Sequence, residues 1–167
     1  MTGGVIWIGT RFGLNRFDRE KVTVYQEEKD NPHSLPYNDI VFLEEDAERH
    51  IWVGTSRGLA YFDRDTQKFI RQKIDGEPVV VTCCFLMPDG IYFLGKKGGF
   101  CYSYAEKKDF LNVRKRGSYL IYYPIMLFCI IKEDRKVLFS SLGSGLWWYY
   151  PDTGEIEQVS FVQEKNI

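Results

Sequence analysis

The side chains with the most chemistry in this sequence are two histidines, four cysteines and one run of carboxylates. His33 and His50 could each act as a general base or a metal ligand. Cys83, Cys84, Cys101 and Cys129 could act as nucleophiles or as soft metal ligands. Their spacings match no zinc pattern, so no metal site and no cofactor is expected. Each cysteine falls in an apolar, strand-like run, which reads as a small buried hydrophobe. Adjacent Cys83 and Cys84 must point to opposite faces of such a strand. Glu44-Glu45-Asp46 offers neighbouring carboxylates, but consecutive strand residues also diverge, so the run reads as a solvated turn rather than an acid–base pair. No catalytic residue is therefore expected.

The elements that would carry these residues announce themselves by repetition. Ile6-Trp7-Ile8-Gly9-Thr10 is followed by Gly13-Leu14-Asn15-Arg16-Phe17-Asp18. The pattern returns as Ile51-Trp52-Val53-Gly54-Thr55 and Gly58-Leu59-Ala60-Tyr61-Phe62-Asp63. Weaker copies are Tyr92-Phe93-Leu94-Gly95 with Gly99-Phe100-Cys101-Tyr102, and Leu138-Phe139-Ser140-Ser141 with Gly145-Leu146-Trp147-Trp148-Tyr149. The marker glycines Gly13, Gly58, Gly99 and Gly145 lie 45, 41 and 46 residues apart. A period near 40–50 residues built from short strands is the signature of β-propeller blades. Each unit holds four strand-like runs, here a to d from the axis outward. The fold class predicted is all-β, with about four blades of four antiparallel strands. The pieces fall at residues 5–25, 38–73, 79–113 and 124–162 of a single partial propeller spanning 1–167. The first unit has three strands and the rest have four. Gly58 is expected to supply a positive φ, and Gly54 to keep clear of a neighbouring backbone. Trp7 and Trp52, at one repeat position, are expected to pack between blades.

Composition agrees with this and narrows the function. Aromatic residues make up 16% of 167 residues, and aromatic side chains favour pleated, half-buried surfaces. A formal net charge of −1 and the absence of a basic stripe argue against nucleic-acid binding. The longest apolar run, Tyr119 to Ile131, is broken by Pro124 and is too short to span a membrane as a helix. No signal-peptide pattern stands at the start.

The repeat resembles the two-component regulator propeller family. Ile6 to Asp18 matches that family's Ile-Trp-Ile-Gly-Thr strand and Gly-Leu-Asn-Arg-Phe-Asp strand almost letter for letter. Ile51 to Asp63 matches nearly as well, and Asn31-Pro32-His33-Ser34-Leu35-Pro36 with Asn38-Asp39-Ile40 matches its long link. The strong match covers residues 5–63; residues 79–162 keep only the spacing. The resemblance implies the sensor region of a Bacteroides-type hybrid two-component histidine kinase, placed in the periplasm and recognising glycan fragments. The kinase itself would lie elsewhere in the receptor. Residues 46–52 also resemble an Asp-box, with Arg49 where that motif has glycine.

In a propeller the d–a and b–c connections share one face, which holds the long loops. His33 and His50 then fall on opposite faces, so a nucleophilic triad is hard to build. Sugars ask for aromatic faces and planar polar groups. The ligand-binding residues expected on that face are Arg11, Phe12, Tyr37, Asn38, Arg57, Tyr119 and Tyr122. An oligosaccharide is the expected ligand. A homodimer through the open blade edges is the expected assembly. The alternative function is a structural or protein-interaction propeller that mediates oligomerisation.

Overall fold

The computed structural model describes residues 4–95, 98–103, 111–112, 125–131, 136–141, 145–150, 152–153 and 155–159. All of the regular structure described is β. The first sheet has three strands: β1 (Ile6–Thr10), β2 (Gly13–Phe17) and β3 (Val22–Tyr25). The second has four: β4 (Ile40–Glu45), β5 (Ile51–Thr55), β6 (Gly58–Asp63) and β7 (Lys68–Arg71). A two-stranded ribbon follows, β8 (Lys73–Ile74) with β9 (Glu77–Pro78). The third sheet is β10 (Cys83–Met87), β11 (Gly90–Gly95), β12 (Gly98–Ser103) and β13 (Leu111–Asn112). The fourth is β14 (Ile125–Ile131), β15 (Lys136–Ser141), β16 (Gly145–Tyr150) and β17 (Glu155–Gln158). Every sheet is an antiparallel meander whose strands pair in chain order. Among the described residues no helix is long and apolar enough to cross a membrane.

The period-2 geometry of a strand explains how the sheets pack. In β5, Ile51 and Val53 join Leu14, Leu35, Ala60, Phe62 and Phe69 in a core against the first sheet, where Trp7 and Tyr25 pack on it. Trp52, between them, points the other way. With Leu59 it meets Cys84, Ile91 and Phe93 of the third sheet. The third sheet repeats the device: Cys83, Phe85, Met87, Tyr92 and Leu94 meet Val137, Phe139 and Tyr149 of the fourth. Both faces of β5 and β11 are thus buried throughout, and the expectation that Trp7 and Trp52 lie between sheets holds.

Three details differ from the sequence reading. In the third unit the register moves by one. Gly95 pairs with Gly98, as Thr55 pairs with Gly58, so Gly98 and not Gly99 is the repeat glycine. The residue equivalent to Trp52 is then Tyr92, which also faces the following sheet. Secondly, Gly13 and Gly145 have positive φ, at 123° and 84°, but Gly58 is not among the positive-φ glycines. Its constraint is space: an added Cβ would lie 2.8 Å from Cβ of Pro36. Thirdly, a Cβ on Gly54 would fall within the ring of Phe42, so a side chain rather than a backbone demands that glycine.

Cys83 and Cys84 are free, buried thiols. Desolvation pushes the Cys83 thiol up to about 12 and the Cys84 thiol higher than its ordinary value. Both therefore stay protonated at neutral pH, where only thiolate reacts. A thiol reagent added to the native protein at pH 8 is expected to leave these two unlabelled, while unfolded protein is labelled fully. Intact mass spectrometry checks this; rapid native labelling of either residue would contradict the burial.

Candidate functional site

The first and second sheets each carry a two-residue turn built in the same way. Thr10 Oγ1 donates to the Gly13 carbonyl oxygen at 2.9 Å and accepts the Phe12 N–H at 3.0 Å. Thr55 Oγ1 donates to the Gly58 carbonyl oxygen at 2.8 Å and accepts the Arg57 N–H at 3.3 Å. The threonine closing the Gly-Thr repeat thus fixes each turn from within. Arg11, Phe12, Ser56 and Arg57 are left exposed at the tips. Phe12 is 80% exposed, far outside what core packing would leave.

The link between the first two sheets runs alongside these turns. Gln26 Nε2 donates to the Phe12 carbonyl oxygen at 2.9 Å. The Glu27 N–H donates to Asn38 Oδ1 at 2.7 Å. The Ser56 N–H donates to the Asp39 carbonyl oxygen at 3.1 Å. Arg57 lies over the ring of half-buried Tyr37, with Cζ 4.0 Å from the centroid, a cation–π contact. One end of the two sheets therefore gathers Arg11, Phe12, Tyr37, Asn38 and Arg57. The Asn38 oxygen is already engaged; its amide nitrogen remains the group that could donate to a ligand. Tyr119 and Tyr122 lie outside the described residues.

The link owes its shape to a residue that the sequence did not single out. Arg71, at the end of β7, donates from Nε to the Ser34 carbonyl oxygen at 3.0 Å. Its Nη2 donates to Ser34 Oγ at 2.8 Å and to the carbonyl oxygens of Leu35 at 2.8 Å and Asn31 at 3.2 Å. Leu35 is thereby held in the core and Pro36 against Gly58, which leaves Tyr37 under Arg57. Beside the same link, at the outer strands, lies a cavity of about 330 Å³ lined by Tyr25, Gln26, His33, Gln67, Lys68 and Phe69 among others. None of the five expected ligand residues that are described lines it.

The carboxylate run behaves otherwise than a solvated turn. Asp46 is buried. Its Oδ1 accepts the backbone N–H groups of Glu48 and His50, each at 2.9 Å. Its Oδ2 accepts Trp52 Nε1–H at 2.7 Å and sits 3.0 Å from His50 Nδ1. The turn needs a left-handed residue, and Arg49 takes it at φ 68°. Glu45 pairs with Arg64 at 2.9 Å, and desolvation holds the Glu44 carboxyl above its ordinary range. The Asp46–His50 pair orients an imidazole, yet neither a hydroxyl nor a thiol is hydrogen-bonded to that ring among the described residues. It holds a turn. Among the described residues no three His, Cys, Asp or Glu side chains converge as a metal group.

No family model matches the sequence, and no curated protein does. Solved structures do match. The extracellular domain of BT4673 from B. thetaiotaomicron, described as a hybrid two component system, aligns over 100% of this chain at TM-score 0.73 and 18% identity. The corresponding domain of BT3049, described likewise and from the same organism, aligns over 93% at TM-score 0.64 and 22% identity. Each alignment covers 22% of the receptor domain, so this chain spans about a fifth of their length. A dihydro-heme d1 dehydrogenase, NirN, solved in complex with DHE, aligns over 95% of this chain and 34% of its own at TM-score 0.62 and 19% identity. These likenesses establish the fold, and an enzyme is among those that share it. The two receptor domains are of the kind that the repeat resembles, and at these identities the likeness is one of fold.

Proposed function

We propose that this chain is a ligand-sensing, extracytoplasmic propeller segment of a two-component receptor, that its four sheets are successive blades, and that it recognises glycan fragments without turning them over. The observation that carries the reading is the end surface formed by Phe12, Tyr37, Asn38, Arg11 and Arg57. It pairs an exposed aromatic face with a guanidinium already stacked on a tyrosine. Its loops are braced by side-chain hydrogen bonds, so little conformational freedom would be lost on binding. The likeness to receptor extracellular domains supports the sensing role and the location outside the cytoplasm.

Calorimetric titration of the protein with a panel of oligosaccharides tests the proposal. At least one is expected to bind, and Arg57→Ala and Phe12→Ala are each expected to weaken it about tenfold, the effect of one good contact of about 1.4 kcal/mol. Phe12→Ala should leave the melting temperature unchanged, because that ring packs on nothing in the core. Binding that persists undiminished in both variants would move the ligand to another surface, with the cavity beside His33 and Lys68 the next place to test.

A second reading, a module that mediates oligomerisation, rests on the outer face of the first sheet. Ile6, Ile8, Val22 and Val24 are each 50–56% exposed there. Ile51, Val53 and Phe69 stand at the positions of Ile6, Ile8 and Val22 one repeat later, and all three are buried against the first sheet. A second copy could cover the open face in the same way, head to tail, giving a homodimer. Light scattering across a wide concentration range separates the readings: a mass that stays near 19.6 kDa excludes the dimer.

A further inference from the structure

The cavity beside the link has walls that the fold holds in place. The Glu28 N–H donates to Ser34 Oγ at 2.9 Å, and the Asn31 N–H donates to the Glu28 carbonyl oxygen at 3.3 Å. Glu28 Oε2 accepts Asn31 Nδ2 at 2.7 Å, which fixes the carboxylate. The Phe69 N–H donates to the His33 carbonyl oxygen at 3.1 Å, and so ties the link to β7 beside Lys68. The Arg71 clamp on Asn31 and Ser34 holds the same segment from behind.

The lining carries two opposite charges. Glu28 and Lys68 both border the cavity, and neither joins an ion pair among the described residues, with each other or with a third group. Tyr25 and Phe69, edge to face at 5.4 Å between centroids, supply its apolar part. A simple anion entering here meets the Glu28 carboxylate, and a simple cation meets the Lys68 ammonium, so each faces a like charge. A molecule with one charge of each sign satisfies both walls. The volume of about 330 Å³ lies at the small end of ligand pockets, which run from roughly 300 to 1,000 Å³, and so limits the occupant to one small molecule.

We infer that this cavity binds a small zwitterion of free amino-acid size. Its ammonium group donates to the Glu28 carboxylate, its carboxylate accepts from Lys68 Nζ, and an apolar side chain lies against Tyr25 and Phe69. Two charge-assisted hydrogen bonds fix its orientation. The inference does not rest on the glycan-sensing reading, because none of Arg11, Phe12, Tyr37, Asn38 and Arg57 lines the cavity.

The probes are free leucine, leucinamide and N-acetylleucine, titrated into the full isotope-labelled chain. Leucinamide lacks the carboxylate charge and N-acetylleucine lacks the ammonium charge. Leucine is expected to move the amide resonances of Glu28, Asn31, Ser34 and Phe69 in the millimolar range. Each analogue should bind about tenfold more weakly, the effect of losing one hydrogen bond to a charged group. Glu28→Gln should erase the preference for leucine over N-acetylleucine and keep that over leucinamide. Lys68→Gln should do the reverse. Both residues are exposed, and the comparison of the three probes on the native chain stands without either variant. Resonances that stay in place at tens of millimolar leucine overturn the inference, as does equal binding of all three probes. A neutral sugar that moves these resonances where leucine does not would overturn it too, and would make the cavity a polyol site.

Discussion

Trp52→Ala is expected to lower stability by roughly 3–5 kcal/mol, the range for removing a large buried aromatic. Trp52 has no exposed surface, and its ring lies 5.0 Å from Tyr61 and 4.9 Å from Phe93 between centroids. It thus joins the second and third sheets, and alanine would open a cavity at that contact. The same change strips the buried Asp46 carboxylate of one of its donors. Trp52→Phe is the milder change, since it keeps a six-membered ring in the contact while removing the N–H with the rest of the indole; about 1.5–3 kcal/mol is expected, the range for losing a hydrogen bond to a charged group. Denaturant unfolding of the three proteins measures both. A loss below about 1 kcal/mol for alanine would show that Trp52 does not join these sheets.

Arg71→Ala is expected to cost about 2–4 kcal/mol and to impair the proposed ligand surface as well. One guanidinium serves three carbonyl oxygens and a hydroxyl of the link that carries Leu35 and Tyr37. Charge-assisted hydrogen bonds of this kind contribute more than neutral ones, though several from one head group do not add. Arg71→Lys should recover only part of the loss, since an ammonium cannot span that fork of acceptors. Stability by denaturant and affinity by calorimetry should fall together in Arg71→Ala. A variant that unfolds as the native protein does would remove Arg71 as the clamp of the link.

The first two units were legible because Ile-Trp-Ile-Gly-Thr and Ile-Trp-Val-Gly-Thr fix strand, turn and parity at once. The third was read one residue out. Gly98 and Gly99 are adjacent, and β11 is buried on both faces, so alternation gave no sign of which side each residue took. Of the expected ligand residues, five are brought to one end, Arg11, Phe12 and Arg57 by turns that the repeat already marked and Tyr37 and Asn38 by the link. Asp46 was missed because three consecutive carboxylates look solvated. The available signal was a tryptophan six residues on, which needs an acceptor once buried. Arg71 had no local signal at all, since its partners lie 36–40 residues back in the chain.

The strands buried on both sides have a consequence for how this molecule holds together. Among the described residues the core falls into three clusters rather than a single interior. Each sheet's cover is its neighbour, and the apolar side chains of β5 and β11 alternate between two contacts, Ile51 and Val53 on one side with Trp52 on the other, and Ile91 and Phe93 on one side with Tyr92 and Leu94 on the other. Free energy in such a linear array is a sum of per-sheet terms and nearest-neighbour couplings. A disturbance in the second sheet is therefore felt by the first and third and fades beyond them, while loss of an end sheet forfeits one coupling and leaves the others standing.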